Sequence, residues 1–237
     1  MIKKNYHLPL IAALFSLVAL SCDDGRIYPS EPEEATGGKA AMQVVFHGEE
    51  AWPKEYIFIF AAFGEEGKIP LKSKIISRPE DVNIPVAMML NGLNEETKTI
   101  SIAVVNKGRE LIYDFYSYPV DDLDKEILLP VTEIDLARYD RVQQQVFEAY
   151  CIRCHGAGTH AAAGLDLTAG NSHKALVNRP ATLSKEGLSL VAPGQPAGSF
   201  LLEILREDLI QYNHTDVLPE AELIDLVETW IRNDAKE

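Results

Sequence analysis

The chain has 237 residues, with 22 Lys and Arg against 36 Asp and Glu, for a formal net charge of −14. That balance excludes nucleic acid and an anionic membrane surface as partners, and it suits either solubility or the steering of a basic partner. Three cysteines, Cys22, Cys151 and Cys154, are few enough that each can be given its own chemistry.

The first segment carries Lys3 and Lys4, then an apolar run from about Leu8 to Leu20, then the small residue Ser21 before Cys22. A charged start followed by a short apolar run reads as a secretory signal over residues 1–21. The run is too short to span a bilayer comfortably. Ala19-Leu20-Ser21-Cys22 resembles a bacterial lipoprotein processing site, which implies that the signal is cut before Cys22 and that Cys22 becomes the lipidated N-terminus. Such sites usually carry Leu three places before the cysteine, where this chain has Ala19. The plainer alternative is an ordinary signal peptide cut nearby, with Cys22 left as a free thiol.

Residues 22–40 are acidic, rich in Pro and Gly and almost without apolar content, so they read as a tether that cannot bury a core. Asp23-Asp24-Gly25 resembles the acidic export signals of surface lipoproteins in the Bacteroidota. With a negative chain, membrane attachment falls to the lipid and not to a basic patch. The implied location is the bacterial cell envelope, at the outer membrane, facing the periplasm or the surface.

Over residues 41–131 short β-rich runs alternate with turn residues: Met42 to His47, Tyr56 to Phe63, Ile69 to Ile76, Ile84 to Leu90, Thr99 to Val105, Glu110 to Tyr116 and Glu126 to Val131. That spacing predicts an Ig-like β-sandwich. Asn91-Gly92 and Asn106-Lys107-Gly108 supply the positive φ that tight hairpins need. The region offers little chemistry. His47 has no cysteine or second histidine at ligand spacing, and the aromatics Tyr113, Phe115, Tyr116 and Tyr118 read as cross-strand packing.

After Val131 the pattern turns helical, and residues 132–237 read as a second domain. Asp135 can cap a helix running through about Tyr150, with Leu136, Tyr139, Val142, Val146 and Phe147 on its apolar face. A shorter helix is expected within Pro196 to Arg206. A last one starts at Pro219 and Glu220 and carries Leu223, Ile224, Leu226, Val227, Trp230 and Ile231.

The first of these helices leads straight into Cys151-Ile152-Arg153-Cys154-His155. Cys-x-x-Cys-His is the spacing that attaches a c-type haem, each thiol forming a thioether and the adjoining histidine binding the iron. Haem c, held covalently by Cys151 and Cys154 with His155 as proximal ligand, is therefore the expected cofactor. Such attachment occurs outside the bacterial cytoplasm, which agrees with the export signal. Lipidation and two thioethers would consume every thiol and leave none for a disulfide.

The region from about Arg141 to Asp234 resembles single-haem cytochrome c domains, of the type attached to larger exported proteins in Planctomycetes and Bacteroidota. The resemblance rests on Val146-Phe147 ahead of the motif and Gly164-Leu165-Asp166-Leu167 after it. Pro193-Gly194-Gln195-Pro196 with Ser199 and the closing Trp230-Ile231 complete it. It implies an all-α cytochrome c domain following the sandwich, with Phe147 and Trp230 near the crossing of its first and last helices. Those domains usually carry a Met-Pro pair whose sulfur is the distal ligand, and this chain has no methionine after Met89. Counting back from Trp230, the usual place falls at about Asn213, so the next residue, His214, is the candidate sixth ligand. His173, His160 and an open sixth site are the alternatives.

Four readings follow. The first is electron transfer by a lipid-anchored, bis-histidine cytochrome of low potential, the sandwich serving as a docking or spacing module and a redox protein, suitably basic, as partner. The second leaves the sixth site open for a haem peroxidase or a gas-binding sensor. In the third, Cys151, Cys154 and His155 hold zinc or switch as thiols. A surface lipoprotein whose sandwich binds a glycan or protein remains a further alternative.

Overall fold

In the computed structural model, which describes residues 37–158 and 161–237, regular structure begins at β1 (Gly38–His47). Ala40, Met42, Val44 and Phe46 are buried while the residues between them face outward, the period-two pattern of a strand packed on one side. The following strands are β2 (Ile57–Phe63), β3 (Pro70–Ile75), β4 (Val86–Leu93), β5 (Thr99–Val105), β6 (Leu111–Pro119), β7 (Ile127–Leu128) and β8 (Glu133–Asp135).

They form two four-stranded sheets. One has the order β4-β1-β7, with β8 also pairing β1; the other has the order β3-β2-β5-β6. The second sheet is antiparallel throughout, whereas β1 pairs antiparallel with β4 and parallel with β7 and β8. Phe58, Phe60 and Ala62 of β2 and Ile100, Ile102 and Val104 of β5 share a buried cluster with the inward residues of β1. Phe46 and Phe58 meet edge to face at 5.2 Å, and Trp52 packs at a similar angle on both. The remaining side chains of β2 and β5, Ile59, Ala61, Phe63, Ala103 and Val105, form a second buried cluster.

The helices are α1 (Tyr139–Val142), a π-helix (Gln143–Cys151), α2 (Ile152–His155), α3 (Ser172–Leu176), α4 (Phe200–Arg206) and α5 (Ala221–Arg232). The expected fold class, an Ig-like sandwich followed by an all-α cytochrome c domain, is therefore corrected. The architecture is mixed, with two sheets supplying most of the regular structure and short helices, of which α5 is the longest at 12 residues.

The physical reason lies in the segment after Val131. It first adds a strand, β8, in parallel register with β1 from Val45↔Glu133 to His47↔Asp135. Asp135 ends that strand and its carboxylate accepts the Ala137 amide at 2.8 Å, so it caps a turn and not a helix. The apolar spacing from Leu136 to Phe147 is thus met by a turn, one turn of α-helix and a π-helix, all of which bury such residues as well as one long helix would. Between α3 and α4 the chain is held by bridges Val177↔Val191, Pro180↔Ser189 and Ser189↔Ser199.

The helices share the sheets' core: Val142, Val146, Phe147, Leu226 and Trp230 belong to the same buried cluster as Phe46, Trp52 and Phe58. Gly194 shows how the loops are latched to it. Its φ of 71° is one that glycine adopts at little cost, and its amide donates to the Ile231 carbonyl at 2.8 Å. Beside it, Ser199 Oγ accepts the Ala192 amide at 2.9 Å and donates to the Gln195 carbonyl at 3.0 Å. Among the described residues no helix is long and apolar enough to cross a membrane.

Candidate functional site

The π-helix delivers Cys151, and the single turn of α2 carries Cys154 and His155. A helix wound i→i+5 is rare and recurs at functional sites. Its wider turn here takes two polar side chains, Gln143 and Gln145, into the interior with Val146 and Phe147. Gln143 is used there: its Nε2 donates to the Leu167 carbonyl at 3.1 Å. Leu167 in turn donates its amide to the His155 carbonyl at 2.8 Å. Leu167 is thereby tied both to the start of the π-helix and to the end of the cysteine motif.

Cys151 is half-buried, Cys154 is exposed, and both are free thiols. Three positions apart on one helical turn, they lie on one face. Burial, with a smaller contribution from Cys154, pushes the Cys151 thiol up to about 11. Thiol-exchange pairs instead depress the pKa of the attacking cysteine, the opposite of the direction at Cys151.

His155 is half-buried, and its Nδ1 lies 3.0 Å from the Ala162 carbonyl oxygen. A carbonyl only accepts, so Nδ1 carries the proton and Nε2 keeps its lone pair. Burial lowers the His155 pKa, and neighbouring His214 lowers it further, opposed by hydrogen bonding to the backbone of Ala162 and of Leu165. The next residue must be small: a Cβ on Gly156 would lie 2.8 Å from the Ile152 carbonyl oxygen.

His214 lies in the loop between α4 and α5, and its ring centroid is 6.3 Å from that of His155, the planes inclined by 28°. Its Nδ1 approaches the Tyr212 carbonyl at 2.8 Å, so the same reasoning leaves the lone pair on Nε2. Metal-bound histidines commonly donate the other ring N–H to a carbonyl in this way. The two imidazoles, stacked beside the cysteine motif, are the side chains that would hold the iron of a haem joined to Cys151 and Cys154, were one bound.

The other sequence candidates go elsewhere. His173 Nε2 is bonded to the Ala235 carbonyl at 2.8 Å, and its ring packs on Tyr139 and Trp230 at 5.3 and 6.2 Å. His47 lies on the sheet, with Nε2 3.6 Å from Glu133. His160 and Cys22 lie outside the described residues. Phe147 and Trp230 do meet, edge to face at 6.4 Å. No group of three or more His, Cys, Asp or Glu converges as a metal site among the described residues. A cleft of about 760 Å³ lined by Tyr139, Asp140, Trp230 and the C-terminal residues contains neither cysteine nor His155.

Sequence reasoning missed the Ala162 and Tyr212 carbonyls, because a backbone acceptor has no signature in residue type. It also missed Arg141, a guanidinium buried to 1% exposure one helix ahead of the motif. Compared with protein-family models, curated proteins and solved structures, the chain gave no significant match to any.

Proposed function

We propose that this chain is a lipid-anchored c-type cytochrome that carries single electrons through one covalently bound haem. Cys151 and Cys154 would form the thioethers, His155 would bind the iron on one side and His214 on the other. The observation that carries this reading is the pairing of His155 with His214 at 6.3 Å, each with Nδ1 tied to a backbone carbonyl and Nε2 carrying the lone pair.

When bound, the haem supplies a one-electron couple; the protein supplies axial ligands, a partly dry setting and a surface for partners. Two imidazoles donate more strongly to ferric iron than an imidazole and a thioether, so the potential lies at the low end for this class of centre. The anchor is the lipid on Cys22, the location is the bacterial outer membrane, and the net charge of −14 suits a basic redox partner.

The test is expression in a host competent for c-type maturation. Added macrocycle mass on the peptide spanning Cys151 to His155, with a low-spin six-coordinate ferric spectrum, is expected. Colourless protein of unaltered peptide mass would end the reading. In His214→Ala the spectrum becomes five-coordinate and high-spin, whereas His173→Ala leaves it unchanged. A high-spin spectrum in the unaltered protein would favour the peroxidase or gas-binding alternative.

A further inference from the structure

A metal ligand carried on a loop needs something other than a helix to hold it. Residues 207–220, between α4 and α5, contain no helix or strand, yet His214 is held there by three contacts of its own and by a turn closed between its two neighbours. The Tyr212 carbonyl takes its Nδ1 proton at 2.8 Å. The Tyr212 ring lies edge-on to the imidazole, centroids 5.2 Å apart and planes at 77°. Asn213 Oδ1 accepts both the Thr215 amide at 2.8 Å and the Thr215 hydroxyl at 2.9 Å, closing a tight turn around His214. The Val217 amide then donates to the His214 carbonyl at 3.1 Å.

The placement of Tyr212 has no packing explanation, since 62% of the residue is exposed and it belongs to neither buried cluster. Its contact with the imidazole gives it one. A ring edge against one side of the histidine restricts rotation of the side chain, while the Asn213 turn fixes the backbone that carries it. The carbonyl bond alone would leave the imidazole free to swing about that bond.

We propose that Tyr212 and Asn213 are positioning residues that clamp His214, so that the strength of this loop turn sets how readily the sixth coordination position opens. The proposal rests on the haem reading above and on His214 as axial ligand. It assigns Tyr212 and Asn213 no contact with the iron. Their effect is on the fraction of time His214 spends away from the ligating position, which a diffusible ligand for ferrous haem can read.

The test is carbon monoxide binding to the reduced, haem-loaded protein, followed by stopped flow. In the unaltered chain, binding is slow because His214 must first leave. Tyr212→Ala and Asn213→Ala each remove contacts of the size of one or two hydrogen bonds, so the observed rate rises about tenfold. Tyr212→Phe keeps the ring edge and Asn213→Asp keeps the acceptor oxygen, and both retain the slow rate. Unchanged rates in both alanine variants, with a six-coordinate parent, would overturn the clamp while leaving His214 as ligand. A parent that binds carbon monoxide rapidly, with His214→Ala no faster, would overturn the His214 assignment and the clamp with it. Thermal unfolding of each variant accompanies the measurement; a raised rate in the conservative variants as well would assign the effect to general loosening and overturn the specific roles.

Discussion

Arg141 donates from Nη1 to the carbonyl of Ala51 at 2.8 Å, joining the helix that leads into the cysteine motif to the loop ahead of β2. The same nitrogen reaches the Leu136 carbonyl at 2.7 Å, Nε donates to Gln145 at 2.9 Å, and the guanidinium lies 5.3 Å from the centre of the Phe115 ring. Burial lowers its pKa to about 10, opposed by the attraction of Glu222. Arg141→Met removes the donor from two carbonyls and from the Gln145 side-chain oxygen, and takes away the positive charge that Glu222 attracts. The expected loss is about 3–5 kcal/mol in urea unfolding. Arg141→Lys restores little, because an ammonium cannot reproduce the planar fork.

Glu222, at the start of α5, grips the same loop from the other side. Its Oε2 accepts the amides of Lys54 at 2.5 Å and Glu55 at 2.6 Å, and Lys54 Nζ pairs with Asp225 at 2.6 Å. Glu222→Gln keeps one acceptor but removes the charge, for an expected loss of about 1–3 kcal/mol. Because Arg141 and Glu222 attract one another across this joint, the double variant Arg141→Met/Glu222→Gln should lose less than the two single losses added together. A strictly additive cycle would mean that the two residues stabilise the loop independently.

These contacts mark where the sequence was readable. Period-two alternation identifies β1, whose inward side chains alone face the core, a continuous apolar run identifies β2, which is buried on both faces, and Cys151, Cys154 and His155 stand out by their spacing. What could not be read depends on contacts far apart in the chain. Nothing local distinguishes the apolar residues of a π-helix from those of an α-helix, so the segment from Leu136 to Phe147 suggested an all-α domain. Nor does anything near Arg141 announce that Ala51, 90 positions away, will bury it. His214 emerged only from a gap where a methionine was missing, and its nearness to His155 needed the fold.

Alkaline pH provides a separate check on the burial of the tyrosines. An unfolded tyrosine ionises near pH 10, whereas burial and then the nearby Glu220 push Tyr56 up to about 12. Burial raises Tyr113, Tyr139 and Tyr150 as well. Above pH 10 the unfolded chain has therefore released protons that the folded chain still holds, and stability falls as pH rises. The contribution is fully present below pH 10 and is lost between there and about 12. Arg141, with its lowered pKa, acts in the opposite sense over part of that range, so Tyr56→Phe is the variant that isolates the tyrosine. Its unfolding midpoint should decline less steeply above pH 10 than that of the parent chain, and an equal slope would remove Tyr56 from the account.

Gly156 follows His155 directly, and the close approach of the Ile152 carbonyl oxygen, 2.8 Å from where a Cβ would sit, is backbone and cannot rotate aside. Gly156→Ala must therefore push the chain away from α2 and shift either His155 or the segment that brings Ala162 to its Nδ1. The expected result is a loss of about 1–3 kcal/mol and, on the proposed haem reading, less covalent haem per chain, since in that reading the histidine and the two thiols must present themselves jointly. Gly198→Ala is the matched control: its added carbon meets nothing nearer than 3.5 Å and should alter neither stability nor haem content. Equal haem stoichiometry in the Gly156 and Gly198 variants would show that the turn after His155 tolerates displacement. In that case the alignment of His155 with His214 must be fixed from the His214 side of the site.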